Sequence, residues 1–180
     1  MSTPCESEKV KLIISLFSSQ KELVDDGINK LEEFLGRTDW VSPGLYFDRT
    51  QYYAKEMGWP LHRKFTTFQK LISPEAIVDI KLATNELEKK YSQEGRRQIN
   101  IDPGYISLER LVLATGKNYT HRIYLSKGIY ADLTLVFNKG GFKPLDWTYR
   151  DYGDPQFIHC LNVLREKYKR QLRGLESIQS

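Results

Sequence analysis

Three residues have the types that general acid–base chemistry uses: Asp102, His121 and Asp132. Histidine titrates near neutrality and a neighbouring carboxylate tunes it. Brought together, the three would serve a hydrolase or transferase acting on a phosphorylated substrate, which is the alternative to the main expectation, a binding module for an anionic, phosphorylated or nucleotide-like small molecule. Asp132 is the most informative of them. Over Ile129–Phe137 (IYADLTLVF) the two-residue period of a strand puts Tyr130, Asp132, Thr134 and Val136 on one face. Ile129, Ala131, Leu133, Leu135 and Phe137 take the other. A carboxylate on such a face needs a partner if it is buried, and Arg122 or His121 across a hairpin is the natural one. Around this set lie groups that can hold an anionic small molecule. Lys117, Arg122 and Lys127 offer charge, Tyr105, Tyr124, Tyr130, Trp147 and Tyr149 offer aromatic surface, and Asp151 offers an acceptor. A second polar group, Lys81, Thr84, Asn85 and Glu88, follows the i, i+3, i+4, i+7 spacing of one helix face. It reads as a solvated face or as the lining of a groove.

Other chemistries lack their signatures. Thr115-Gly116-Lys117-Asn118 lacks the earlier glycine and the Ser/Thr after lysine that a phosphate loop needs. His62, His121 and His159 show no metal-ligand spacing, so neither a metal nor a cofactor is expected. Cys5 and Cys160 form no metal motif and no disulfide framework. No nucleophile-elbow motif occurs.

The charge has a place. The chain of 180 residues holds 27 basic and 23 acidic side chains. Residues 1–95 carry 13 basic and 15 acidic groups, whereas 96–150 carry nine and four. The cationic segment is the one that holds most of the candidate residues, which favours an anionic partner. RNA association is an alternative, against which stands the lack of any RNP, KH or arginine-rich motif. Protein interaction is another, through Arg165, Lys167, Lys169, Arg170 and Arg173 near the end of the chain. No apolar run approaches the ~18 residues of a membrane span, and the N-terminus lacks the order of a signal peptide. A cytoplasmic protein with no membrane partner is expected, of open oligomeric state.

The elements that must position these residues follow from periodicity. Val10–Phe17 is an apolar run of strand length. Ser19 and Glu22 suggest a capping box, followed by a helix with Val24, Ile28, Leu31 and Leu35 on one face and Gly36 as its stop. Trp40–Phe47 reads as an irregular or edge strand, Asp48–Met57 as a short helix and Leu61–Phe68 as a strand. Ser73-Pro74-Glu75 starts the next helix, and Arg97–Ile101 is again a strand. Asp102-Pro103-Gly104-Tyr105 fits a type II turn. A strand at Leu111–Thr115, a hairpin from His121 to Phe137 around Ser126-Lys127-Gly128, and a final helix after Asp154-Pro155 complete the chain. The order predicts an α+β fold with a ferredoxin-like β-α-β-β-α-β core, extended by a β-hairpin or meander and a C-terminal helix. Helices are expected on one sheet face, in one domain over 1–180, with flexible tails at 1–8 and 175–180.

Six segments carry a family resemblance: VKLIISLF, YAKEMG (53–58), IKLATNELE (80–88), NIDPGY (100–105), HRIYLSKGIY (121–130) and WTYRDY (147–152). Over about residues 8–173 the chain resembles the family called domain of unknown function 4416. The resemblance implies a small cytoplasmic bacterial protein. It carries no catalytic residue and no cofactor across, but it falls on the same segments that stand out on physical grounds.

Overall fold

The computed structural model describes residues 2–46 and 54–174. One sheet organises them. Its strands are β1 (Lys11–Ser18), β2 (Thr38–Val41), β3 (Leu45–Tyr46), β4 (His62–Phe68), β5 (Asn100–Ile106), β6 (Arg110–Thr115), β7 (Arg122–Ser126), β8 (Ile129–Asn138) and β9 (Gly141–Pro144). The main path runs β2-β4-β1-β5-β6-β8-β7, with β3 on β4 and β9 on β8, and every pair is antiparallel. The helices are α1 (Lys21–Leu35), α2 (Ala54–Met57), α3 (Ile77–Lys90) and α4 (Pro155–Leu172), with a 3-10 turn at Pro74–Ala76. The fold is α+β, as expected. Because α1 and α3 are crossovers, β4 lies between β1 and β2, and β1 lies between β4 and β5.

The strand period explains how the layers form. Leu12, Ile14 and Leu16 of β1 pack with Val24, Ile28 and Leu31 of α1 and Ile77, Val78 and Ile80 of α3. The odd position Ile13 turns the other way, to a second core with Phe65, Leu111, Leu113 and Leu135 and with Phe157, Leu161 and Leu164 of α4. Helices thus cover both sheet faces, which corrects the one-face expectation. The reason is that β1 is buried at every position, so both its faces need cover.

Other local expectations also change. The Ser19–Glu22 capping box does not form: Gln20 is the N-cap of α1 and makes no side-chain cap bond. Asp154 does cap α4, accepting from the Gln156 N–H at 2.9 Å. Of the helix expected over 48–57, α2 covers Ala54–Met57, and the remainder lies outside the described residues, as does the tail 175–180. The hairpin forms where predicted. Lys127 and Gly128 both have positive φ (51° and 79°), the conformation a tight hairpin turn requires.

A buried polar knot locks α4 to the sheet. The fully buried Lys11 pairs with Asp39 of β2 and donates to Gln171 Oε1 of α4 at 2.8 Å. Asp39 also accepts from Thr67 Oγ1 at 2.6 Å. Burial pushes the Asp39 carboxyl up, but Lys11, Thr67 and Lys167 outweigh it and hold it below its ordinary 3.8. As pH falls, the unfolded chain therefore takes up this proton first. The stabilisation is complete above the unfolded value and is lost as pH falls through the folded one. Between about pH 4 and pH 2 the urea midpoint should drop more steeply for the native protein than for Asp39→Asn. Parallel curves would show that Asp39 contributes no acid sensitivity.

Candidate functional site

The cavity begins at a split in the sheet. β5 pairs with β6 only over Gly104–Ile106 and Leu111–Leu113, whereas it pairs with β1 from Asn100 to Ile106. Pro103, which has no N–H to donate, stands where the ladder to β6 stops. Gly104 sits where the two strands approach most closely. A Cβ there would lie 2.5 Å from the Val112 carbonyl oxygen. Asp102-Pro103-Gly104-Tyr105 is therefore continuous strand, not the type II turn that its local composition suggests. Proline ends one ladder and glycine tightens the contact just beyond it.

The split opens a cleft of about 800 Å³. Asn100 and Asp102 line it from β5, Thr115, Gly116 and Lys117 from the end of β6, and Arg122 and Asp132 from the hairpin. Arg63 reaches it from β4, and Lys81, Asn85 and Glu88 from α3. The loop after β9 adds Tyr149, Arg150, Asp151 and Tyr152. That loop is held by an irregularity in β8. The β6–β8 register shifts between Leu111 and Val112, so Thr134 is an extra residue. Trp147 Nε1 donates to the Leu133 carbonyl at 2.8 Å, and Thr148 Oγ1 donates to the Thr134 carbonyl at 2.5 Å. The same shift brings Asp132 and Leu135 to one face, which corrects the strict alternation expected along this strand.

Charge is dense and mostly paired. The lining holds six basic side chains and four acidic ones. Asp132 accepts from Arg122 Nε at 2.8 Å and lies 3.3 Å from His121 Nε2. Arg122 also donates to the Lys117 carbonyl at 3.0 Å and to Tyr149 Oη at 2.9 Å. Burial works against the Arg122 cation, but Asp132 and Tyr149 outweigh it and raise its pKa. The buried Arg63 pairs with Asp151 and donates to Ser15 Oγ at 2.8 Å. Its guanidinium also lies 4.8 Å from the Phe65 ring centroid and 5.2 Å from that of Tyr152. Lys81 Nζ donates to the Ile101 carbonyl at 3.0 Å and to Asp102 Oδ1 at 3.2 Å. Asn100 Nδ2 donates to Asp102 Oδ2 at 2.5 Å. Burial raises Asp102, but Lys81, Asn100 and Arg63 outweigh it, so the carboxyl lies below its ordinary value. Glu88 moves the other way. Burial pushes it up against the pull of Lys81 and of the Ile101 N–H, which it accepts at 2.6 Å. Among the described residues Arg150 makes no ion pair.

A family model described as Domain of unknown function (DUF4416) matches residues 8–168. The chain belongs to the DUF4416 family. No curated protein and no solved structure matches it. Among the described residues no helix is long and apolar enough to cross a membrane, and no cluster of three His, Cys, Asp or Glu side chains can hold a metal ion.

In this DUF4416 protein the cleft gathers Asp102, Asp132, Lys117, Arg122, Tyr149, Asp151, Lys81, Asn85 and Glu88 from the sequence candidates. The others lie elsewhere. His121 stands behind Asp132, its ring stacked on Trp147 at 5.0 Å, and neither residue lines the cleft. Tyr105 packs on the α1–α3 side of the sheet, because an odd step along β5 separates it from Asp102. Tyr124 and Tyr130 form an edge-to-face pair at 5.2 Å on the hairpin. Lys127 pairs with Asp79 at the start of α3, 2.7 Å away. Thr84 is buried and donates back to the Lys81 carbonyl at 2.9 Å. Asp102, His121 and Asp132 do not form one hydrogen-bonded set: Asp102 is held by Lys81 and Asn100, with β6 between it and Asp132.

The residues not anticipated include Phe17, Arg63, Arg97 and Asn100. Arg63 had a readable signal. It lies between Leu61 and Phe65 at the strand period, a cation on an apolar face, just as Asp132 is a carboxylate on a mixed one.

Proposed function

We propose that this protein binds a small anionic molecule, phosphorylated or nucleotide-like, in the cleft at the β5–β6 split. The observation that carries this reading is the excess of basic groups around one cavity of ligand size. Arg122 supplies the clamp. Three of its five N–H donors are spent on Asp132, the Lys117 carbonyl and Tyr149, which fix the plane of the guanidinium. The other two remain for an anion, and Arg150 lines the same cleft. Tyr149 and Tyr152 give the aromatic surface, in place of Tyr105, Tyr130 and Trp147.

The acid–base reading keeps Asp102 and Asp132 on the cleft wall, with His121 as a positioning residue for Asp132. The binding reading needs less, since each of its groups already faces the cavity.

A thermal-shift panel of nucleotides and phosphorylated metabolites at millimolar concentration tests it. At least one member should raise Tm by several degrees, and Arg122→Ala should remove that rise. A panel with no rise, or a rise that survives Arg122→Ala unchanged, contradicts the assignment.

A further inference from the structure

The two ends of the cleft differ in what they still have to offer. At the hairpin end the groups with spare capacity are donors, from Arg122 and Arg150. At the α3 end the balance reverses. Asp102 is held in its ionised form by Lys81 and Asn100, yet 34% of its side chain stays accessible within the cleft. An ionised carboxylate only accepts hydrogen bonds. Asn85 lies one helical turn after Lys81 on the same stripe, and among the described residues its amide makes no hydrogen bond. It offers both donors and an acceptor. Glu88 is already committed to the Ile101 N–H and to Arg97.

An ionised phosphate, like the Asp102 carboxylate, only accepts hydrogen bonds, so a second phosphate would leave Asp102 unsatisfied there. A hydroxyl group, which both donates and accepts, satisfies Asp102 and Asn85 together. The spacing fits as well. Asp102 on β5 and Asp132 on β8 face the same cavity with β6 between them. Two strand spacings separate their backbones by about 10 Å, a span that one sugar ring with one phosphate can bridge.

We infer that the ligand is a phosphorylated sugar with a single anionic end, whose hydroxyls are bound by Asp102 and Asn85 and whose phosphate meets Arg122 and Arg150. This rests on the anion-binding reading and narrows it. The sugar can come as a free sugar phosphate or as the ribose of a nucleoside monophosphate.

Calorimetric titration separates these cases. Ribose 5-phosphate and AMP are compared with inorganic phosphate and fructose 1,6-bisphosphate on the full chain. One or both of the first two should bind at least tenfold more tightly than either of the others. Tighter binding of ribose 5-phosphate than of AMP identifies the free sugar phosphate, and the reverse identifies the nucleotide. Asn85→Ala should reduce that advantage at least fivefold while leaving phosphate affinity unchanged. Asp102→Asn should do the same, and Asn85→Ala decides the matter if Asp102→Asn does not fold. If phosphate or the bisphosphate binds as tightly as ribose 5-phosphate and AMP, the hydroxyl assignment is wrong and anion binding stands. If none of the four binds, the anion reading itself fails.

Discussion

Lys11→Ala is expected to cost about 3–5 kcal/mol, because it removes one partner of a buried ion pair and leaves the other without compensation. Lys11 is fully buried, and its ammonium joins β1 to Asp39 on β2 and to Gln171 near the end of α4. Without it, Asp39 keeps Thr67 and the more distant Lys167 at 3.5 Å. Equilibrium urea unfolding gives the loss directly. The double variant Lys11→Met, Asp39→Asn should recover part of it, because the unpaired charge goes and the volume is largely kept. A loss below about 1 kcal/mol for Lys11→Ala, the level of an exposed pair, would show that the knot does not hold α4.

Gly104→Ala should cost about 2–3 kcal/mol, the range of an overpacked core position. The added Cβ would meet the Val112 carbonyl oxygen at 2.5 Å, Leu113 Cδ2 at 2.7 Å and Leu113 Cα at 3.2 Å. Two of those atoms are backbone and cannot rotate away, so β5 and β6 must part. For a chain of this length the change corresponds to a Tm lower by roughly 5–10 °C. Gly116→Ala is the control. A Cβ there meets nothing within 4 Å, and its stability should stay within about 0.5 kcal/mol of the native chain. Equal stability of the two variants would mean that the close approach at Gly104 is not required. Because Gly104 marks where the ladder ends, its variant should also weaken ligand binding at the split.

These two positions show what was legible in the sequence. The strands and helices with a clear period were: β1, α1, β4, α3, the hairpin and α4 all form within a few residues of their predicted places. Asp132 and Arg122 across the hairpin were legible too, since a lone carboxylate on a strand face demands a partner. The Asp102–Tyr105 segment was not. Proline followed by glycine is a turn signal in isolation, and only the pairing of β5 with both β1 and β6 gives it another meaning. Once it is strand, Asp102 and Tyr105 fall on opposite faces, which removes Tyr105 from the site. The split itself has no local signature, because it arises between strands whose registers are set far apart in the chain. For that reason Arg63, Asn100 and the Lys81–Asn85–Glu88 stripe converge in a way that no spacing rule announces.

If Arg122 holds an anionic ligand in this cleft, its own resonance must report the binding. The most direct measurement is a heteronuclear NMR titration of the full chain with ribose 5-phosphate and, separately, AMP. With at least one of the two, the Arg122 Nε–H resonance and the amides of residues 115–117 and 149–152 should shift together and saturate. If both ligands leave these resonances unchanged, or move mainly the basic residues at the end of α4, the cleft is not the site and the account is wrong.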